Sequence, residues 1–106
     1  MPLNRVVFLA ALLVLAPAYK GSAQATGADI YKAKCQMCHG VTGAADTPAA
    51  KTMRVKSFKD PDVEKIPEAI LIGTTRAGTG KMPAFKDKLS DADLKSVITY
   101  VRTLEK

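Results

Sequence analysis

A chain of 106 residues has room for one domain and little else. Its 16 basic and 10 acidic residues give a net charge of +6, but these charges are scattered and do not form the concentrated basic face that is typical of nucleic-acid binding. We therefore expect no nucleic-acid partner, and we expect the positive charge to serve encounters with another protein.

The first 25 residues have the features of a secretory signal peptide. Arg5 supplies a positive charge, the apolar run 6–16 is too short to span a bilayer comfortably, and Ala23-Gln24-Ala25 fits a small-residue cleavage site. We expect cleavage after Ala25 and a mature domain of residues 26–106, with 14 basic and 10 acidic residues. An uncleaved membrane anchor is the alternative. Cleavage predicts a protein that is not integral to the membrane and that resides in the periplasm or an equivalent oxidising lumen.

The first predicted element of the mature domain is a helix that begins at Gly27 or Ala28 and ends at Lys34. Thr26 is a suitable N-cap, and Asp29 places a negative charge in the first turn, where the helix dipole favours it. A domain of 81 residues buries little apolar surface. We therefore expect a disulfide, a metal or a large cofactor to add stability.

Both cysteines and the single histidine of the chain lie in one pentapeptide, Cys35-Gln36-Met37-Cys38-His39. The C-x-x-C-H pattern is the attachment motif for c-type haem. Two thiols at this spacing can form thioethers to the two vinyl groups on one side of a planar haem, and the adjacent imidazole is then held beneath the iron. The motif predicts one covalently bound haem c, attached through Cys35 and Cys38, with His39 as an axial ligand.

Three alternatives to haem attachment are weaker. A redox disulfide of the C-x-x-C type needs a βαβ context, and this sequence contains no convincing strand. A zinc site needs four ligands, whereas Cys35, Cys38 and His39 provide three at most and no second cluster exists. A chance match would have to place three scarce residue types together, which is rare in a chain of this length.

The stretch after the motif, residues 40–65, is predicted to be a loop. Gly43, Pro48 and Pro61 interrupt its short apolar pieces. A loop of this length without a core of its own is unusual unless it wraps something.

A short second helix is expected to start with Pro67 at its first position and to run to Gly73. Beyond it, Gly78, Gly80 and Pro83 predict an irregular segment.

The last predicted element is a helix that begins after Ser90 and ends near Lys106. Ser90 is a good N-cap, and Asp91 and Asp93 complement the helix dipole. Apolar residues recur at helical spacing and form one stripe: Leu94, Val97, Ile98, Val101 and Leu104. The elements together predict an all-α fold with two terminal helices, one short middle helix and long loops.

The chain from Gly27 to Leu104 resembles the class I c-type cytochromes, in particular the small soluble bacterial and photosynthetic ones. The resemblance is carried by Cys35-x-x-Cys38-His39-Gly40 at the end of the first helix, by Lys81-Met82-Pro83-Ala84-Phe85, and by Tyr100 on the last helix. It implies the cytochrome c fold, in which the N- and C-terminal helices cross and the loops wrap one covalently bound haem.

The resemblance also implies contacts within that fold. The terminal helices are expected to cross where Gly27 and Tyr31 meet Val97 and Tyr100. A proline carbonyl in the loop after the motif, with Pro48 as the candidate, is expected to accept a hydrogen bond from the proximal imidazole.

The axial ligands of the iron follow from the resemblance as His39, proximal, and Met82, distal. The residues themselves also limit the choice of axial ligands, because a chain with one histidine cannot provide two histidine ligands. Met37 lies inside the attachment motif, and Met1 leaves with the signal peptide. Met82, in a glycine-rich irregular stretch, is favoured over Met53, which remains open as an alternative ligand or a haem-wall residue. A lysine, a water molecule or an open site are further possibilities.

Six basic residues are candidates for contacts with haem propionates or with a partner protein. Three flank the expected haem edge: Lys81, Lys86 and Lys88. The other three precede this segment in the sequence: Arg54, Lys56 and Arg76.

Ligation by His39 and Met82 leaves the iron no open site for a substrate, so the remaining chemistry is one-electron transfer. We therefore expect a monomeric electron-transfer protein and not an enzyme. It is expected to shuttle electrons between redox partner proteins, membrane complexes among them. A haem peroxidase or gas-binding protein is one alternative, but no second histidine exists to act as a distal acid or base. A permanent subunit of a membrane dehydrogenase or oxidase is another, and it requires a large buried interface.

Overall fold

The computed structural model describes residues 25–106, through which six α-helices run. They are α1 (Gly27–Lys34), α2 (Gln36–His39), α3 (Pro48–Met53), α4 (Pro61–Glu64), α5 (Glu68–Ala77) and α6 (Asp91–Leu104). Within residues 25–106 the sole extended pairing is an isolated antiparallel bridge between Thr79 and Met82. The all-α prediction is therefore confirmed. The predicted signal peptide lies outside the described residues, apart from Ala25.

Capping boxes begin both terminal helices. The Thr26 hydroxyl accepts a hydrogen bond from the backbone N–H of Asp29 at 3.2 Å, and the Asp29 carboxylate accepts one from the backbone N–H of Thr26 at 3.1 Å. Ser90 and Asp93 make the same reciprocal pair at the start of α6, at 3.1 and 3.2 Å. Each box gives partners to two backbone donors near the start of the helix. The predicted N-caps Thr26 and Ser90 are confirmed.

The helices α1 and α6 pack across each other at the centre of the core. Gly27 lies so close to the carbonyl of Ser96 and to the Cβ of Tyr100 that a methyl group at this position would overlap them. The ring of Tyr31 is 1% exposed, and its centroid lies 5.3 Å from that of Tyr100. This is the crossing that the resemblance implied. The buried residues of α6 belong to the predicted apolar stripe: Leu94, Val97, Ile98 and Val101.

The stretch predicted as one loop, residues 40–65, contains the short helices α3 and α4. Both begin in the same way, with a capping side chain followed by proline: Thr47 caps Pro48, and Asp60 caps Pro61. Proline is well suited to the first position of a helix, because its fixed φ angle matches and its missing N–H is not needed there. The loop prediction was wrong at these two places because both prolines were interpreted as breaks.

The middle helix, α5, is longer than predicted and begins one residue later. Pro67 is its N-cap and not its first residue, and the helix continues past Gly73 to Ala77. Gly78, with a φ of +78°, ends it. None of the helices within residues 25–106 combines the length and the apolar character that crossing a membrane requires.

Candidate functional site

The C-x-x-C-H motif forms a single helical turn directly after α1. Cys35 ends α1 and begins α2. Its carbonyl accepts hydrogen bonds from the backbone N–H of Cys38 at 3.2 Å and from that of His39 at 2.9 Å. The carbonyl of Cys38 accepts a hydrogen bond from the hydroxyl of Thr47 at 3.2 Å, and this bond connects the motif to the start of α3. No disulfide joins Cys35 to Cys38.

Met82 lies at the end of a tight turn that two backbone hydrogen bonds close. The N–H of Thr79 donates to the carbonyl of Met82 at 3.1 Å, and the N–H of Met82 donates to the carbonyl of Thr79 at 2.8 Å. Gly80, inside the turn, has a φ of +52°, a value that most side chains disfavour. The irregular segment predicted here is thus a defined turn.

The residues on either side of this turn hold it against α5. A Cβ on Gly78 would lie 2.8 Å from the backbone nitrogen of Ala84 and 3.0 Å from the carbonyl oxygen of Met82. Only glycine allows the chain to approach itself so closely at this φ. Downstream, the N–H of Phe85 donates to the carbonyl of Thr75 at 3.1 Å. The position of Met82 is therefore fixed from both directions.

A cleft lies between the motif and the Met82 segment. Its larger part, about 360 Å³, is lined by Cys35, Cys38, His39, Met53 and Met82 together with basic and apolar residues. A smaller, almost wholly apolar cavity of about 90 Å³ extends between α5 and α6. Cys35, His39 and Met82 line both parts. The four predicted site residues thus meet at one cleft. Met53, the alternative ligand, lines only the larger part of it.

Burial changes the acid–base properties of the motif. Desolvation, with a smaller contribution from the charge of Cys38, raises the pKa of the Cys35 thiol to about 11, so this thiol is neutral at pH 7. Desolvation lowers the pKa of the His39 imidazole below its ordinary value, so the ring is neutral at pH 7. The neutral imidazole is the form that binds a metal ion.

The imidazole of His39 lies against an aromatic ring. Its Nδ1 atom is buried and has no hydrogen-bond partner among residues 25–106. The carbonyl of Pro48 accepts instead from the hydroxyl of Thr52 at 3.1 Å, within α3. The prediction for Pro48 was therefore wrong, because this residue begins a helix that uses its carbonyl. The imidazole stacks on the ring of Phe58, with centroids 4.6 Å apart and planes inclined by 19°.

The sequence did not predict two contacts that the motif makes in the structure. The Phe58 ring reaches His39 from the far side of a loop, and no local pattern connects the two residues. The phenol of Tyr31 donates a hydrogen bond to the carbonyl of Gly40 at 2.6 Å, next to His39. The resemblance implied that Tyr31 lies at the helix crossing, but it gave no sign of this second contact.

Of the basic residues predicted to flank the site, Arg54 and Lys81 line the cleft. Lys34, which was not among the candidates, lines it as well. Lys86 and Lys88 are exposed and lie outside this lining. The mouth of the cleft therefore carries three positive charges.

The remaining two basic candidates are paired with carboxylates away from the cleft lining. Arg76 lies 3.0 Å from Asp91 at the start of α6, and Lys56 lies 4.0 Å from Asp62 in α4. All four side chains are largely exposed, so each pair contributes little to stability. Neither Arg76 nor Lys56 lines the cleft.

The residues at the cleft fit a c-type haem. Two thiols from one helical turn, a neutral imidazole and a thioether meet at a largely apolar cavity, and its volume is in the range of ligand sites. Zinc fits less well, since residues 25–106 contain no group of three or more Cys, His, Asp or Glu side chains that could hold a metal ion. The donor set matches the cytochrome ligands, in which histidine and methionine bind iron.

Comparison with known proteins finds relatives among the c-type cytochromes. Residues 22–101 match the family of cytochrome c oxidase, cbb3-type, subunit III. The chain is 36% identical to cytochrome c6 of Leptolyngbya boryana over 77 residues, which is 73% of this chain and 87% of the relative. It is 37% identical to cytochrome c6 of Microcystis aeruginosa over 75 residues, 71% of this chain and 89% of that relative.

Solved structures share the fold. The KustC0563 c-type cytochrome superimposes with a TM-score of 0.70 at 29% identity, over 76% of this chain and 99% of that one. Cytochrome c6 from the diatom Phaeodactylum tricornutum does so with a TM-score of 0.57 at 28% identity, over 74% and 90% of the two chains. With this fold, the C-x-x-C-H turn and the matched family, the chain belongs to the class I c-type cytochromes, electron-transfer proteins that carry one covalently bound haem c.

Proposed function

We propose that residues 26–106 act as a one-electron carrier in the periplasm or an equivalent oxidising lumen, after export and cleavage behind Ala25. In this proposal Cys35 and Cys38 form the two thioethers to the haem, and His39 and Met82 are the axial ligands of the iron. One observation carries the proposal: Cys35, His39 and Met82 line both parts of the same cleft.

The two axial side chains are suited to this role by their surroundings. His39 is neutral at pH 7, and its Nδ1 atom is buried, which leaves Nε2 as the nitrogen to bind iron. Met82 is held by the closed turn with Thr79, so its backbone needs little rearrangement between oxidation states. When bound, the haem supplies a one-electron couple whose potential methionine ligation raises. The apolar walls between α5 and α6 exclude water and thereby keep reorganisation small.

The start of the folded domain supports cleavage after Ala25. Among residues 25–106 the first helical residue is Gly27, and the N-cap Thr26 would become the first residue of the mature chain. The backbone nitrogen of Thr26 lies 3.1 Å from the carboxylate of Asp29. Cleavage would convert this nitrogen to an ammonium group and strengthen its bond to the carboxylate. Processing at this site would therefore leave all six helices described within residues 25–106 in the mature chain.

The partners in this proposal are an electron donor and an electron acceptor, each a redox protein, with membrane complexes among them. Lys34, Arg54 and Lys81 at the mouth of the cleft favour a partner surface with negative charge. Met37, between the two cysteines, is 79% exposed and lines the same cleft, so it offers an apolar contact beside these charges. Brief encounters of a monomer with small surfaces suit such a carrier.

A second candidate is a permanent subunit of a cytochrome c oxidase, and the matched family of cbb3-type subunit III favours it. Against it, the chain is 36% identical to cytochrome c6 of Leptolyngbya boryana and covers 87% of the length of that protein. Sedimentation of the protein in extracts of its own cells separates the two. A free shuttle sediments as a particle of about one chain, and a subunit sediments with an oxidase.

The proposal is tested by producing the full chain in a host that has the haem-attachment machinery. We expect an intact mass of residues 26–106 plus one haem, and a ferric spectrum with the far-red band of sulfur-to-iron charge transfer. A retained signal peptide would contradict the proposed export. Absence of the far-red band would contradict ligation by methionine.

A further inference from the structure

The guanidinium of Arg102, near the end of α6, joins three parts of the chain. Its Nη1 atom donates to the carboxylate of Glu105 at 2.9 Å and to the carbonyl of Glu64 at 3.3 Å. Its Nη2 atom donates to the carbonyl of Ile66. The side chains of Arg102 and Glu105 are 24% and 10% exposed, less than those of the other ion pairs within residues 25–106. Arg102 thus connects the end of α6 to the segment between α4 and α5.

The segment that this guanidinium holds has little other support. No residue of α4 is buried, and Thr75 is the sole buried residue of α5. Residues 67–70 are exposed, and the apolar support of α5 comes from the half-buried Leu71 and Ile72. Segments with few buried contacts are the ones that open locally in a native protein. We therefore expect a half-buried guanidinium, bonded to two backbone carbonyls, to contribute much of what holds the start of α5 against α6.

The other end of α5 holds the Met82 segment, residues 78–85. The carbonyl of Leu71 accepts a hydrogen bond from the hydroxyl of Thr75 at 2.8 Å, and the carbonyl of Thr75 accepts one from the N–H of Phe85 at 3.1 Å. Leu71, Thr75 and Met82 also line the same small cavity. The helix α5 is therefore a rigid connection between the end that the guanidinium holds and the segment that carries Met82.

We propose that Arg102 is a positioning residue for the distal side of the site. By holding the start of α5 against α6, it keeps the Met82 segment closed over the iron. The inference rests on the proposed ligation of iron by Met82. It assigns a role in retaining this ligand to a side chain that lines neither part of the cleft. Without the guanidinium, α5 and the Met82 segment open more often and expose the sixth position of the iron to outside ligands.

The test uses the haem-loaded ferric protein with imidazole as the probe. Imidazole competes with Met82 for the iron, so its apparent affinity, followed by loss of the far-red band, reports how often the Met82 segment opens. At saturating imidazole the binding rate reports the rate of opening. We expect Arg102→Gln to raise both quantities about tenfold, the size that the loss of a charged hydrogen-bond donor predicts. In the same variant the amide of Phe85 should exchange faster with deuterium.

A milder variant, Glu105→Gln, tests whether the effect passes through the guanidinium. It weakens the partner of Arg102 and leaves the carbonyls of Glu64 and Ile66 in place. We expect the affinity for imidazole to rise in the same direction but by less. In a chain that already carries Arg102→Gln, Glu105→Gln should add nothing to the affinity or to the rate.

Two controls separate positioning from overall stability and from net charge. Ile30→Ala removes a buried side chain of α1 that lines neither part of the cleft. It should lower the unfolding temperature and leave the affinity for imidazole unchanged, because local opening of the Met82 segment leaves α1 folded. Lys95→Gln removes one exposed charge from α6 and should change neither the affinity nor the rate.

The inference is overturned if Arg102→Gln keeps the wild-type affinity for imidazole and the wild-type rate. It is also overturned if Ile30→Ala raises the affinity as much as Arg102→Gln does, since the effect would then be one of stability alone. A wild-type protein without the far-red band would overturn the proposed ligation and this inference together. A normal band with an unresponsive Arg102→Gln variant would overturn this inference alone.

Discussion

Met53 and Met82 line the same cleft, but only Met82 also lines the smaller cavity that His39 shares. Met53 is the last residue of α3, where a helix fixes the direction of its side chain. Met82 belongs to a tight turn that approaches the cleft from the segment between α5 and α6. This difference favours Met82 as the sixth ligand and Met53 as part of the cleft wall.

Replacing the two methionines one at a time tests this assignment. Met82→Ala should abolish the far-red charge-transfer band of the ferric protein, lower its midpoint potential and allow cyanide, azide or carbon monoxide to bind. Met53→Ala should keep the band and cost only packing, on the order of 2 kcal/mol in the free energy of unfolding. If the two variants exchange these behaviours, Met53 is the ligand.

Alanine substitutions at two glycines, Gly27 and Gly73, test the packing at the helix crossing. Gly27→Ala forces a methyl group onto the carbonyl of Ser96 and the Cβ of Tyr100. We expect it to lower the free energy of unfolding by about 1–3 kcal/mol, because the two helices must move apart. Denaturant unfolding followed by circular dichroism measures the change.

Gly73 provides the matched control for this substitution. It lies inside α5, and a Cβ there meets no atom within 4 Å. Gly73→Ala should therefore raise the free energy of unfolding by about 0.5–1 kcal/mol through helix propensity alone. Equal effects of the two substitutions would show that the crossing does not depend on the small residue at Gly27.

Local signals in the sequence predicted the terminal helices and the attachment motif. The caps Thr26 and Ser90 and the apolar stripe of α6 depend on neighbours a few residues apart, so their pattern is visible in the chain. The short helices α3 and α4 were missed because Pro48 and Pro61 can equally well break a helix or begin one. Their context decides which, and the preceding cap was the signal that could have identified them.

The environment of His39 could not be predicted in the same way. The stacking of Phe58 requires the chain to turn back through Gly43, and only the folded structure brings these residues together. The expectation for Pro48 failed for a similar reason, because its carbonyl was already used within α3. Motifs thus identified which residues carry the chemistry, whereas contacts distant in sequence determine how those residues are held.

The charges around the cleft predict how electron transfer depends on salt. Arg54→Gln with Lys81→Gln removes two of the three positive charges at its mouth. At physiological ionic strength charges act over about 8 Å, so these two influence docking far more than distant ones. We expect the salt dependence of the electron-transfer rate with a purified acidic redox partner to become flatter, as measured by stopped-flow spectroscopy.

The control for this experiment is a double variant with the same change in net charge at positions away from the cleft. Lys65 and Lys95 are exposed and do not line the cleft. Lys65→Gln with Lys95→Gln should leave most of the salt dependence in place. If both double variants flatten it equally, the partner responds to net charge and does not dock at the cleft.

Haem attachment should decide whether the domain folds. Cys35→Ala with Cys38→Ala removes both thioether positions, and the cleft then loses the group that fills it. The smaller cavity alone, at about 90 Å³, would cost about 2 kcal/mol if left empty, at about 24 cal/mol per Å³. A small domain has only about 5–15 kcal/mol of stability in total, and the larger part of the cleft adds to the loss. We therefore expect a largely unfolded or molten chain without a cooperative thermal transition in calorimetry.

Met37→Ala is the control for this pair, because it changes the same turn without touching the attachment chemistry. Met37 lies between the two cysteines, and its side chain is 79% exposed. We expect this variant to carry covalent haem on a denaturing gel and to unfold cooperatively near the wild-type temperature, since little buried contact is lost. The single variant Cys38→Ala, which retains one thioether position, should fall between the two. Cooperative unfolding of the double-cysteine variant in its haem-free form would contradict the prediction, because helices α1 and α6 would then suffice for a stable core.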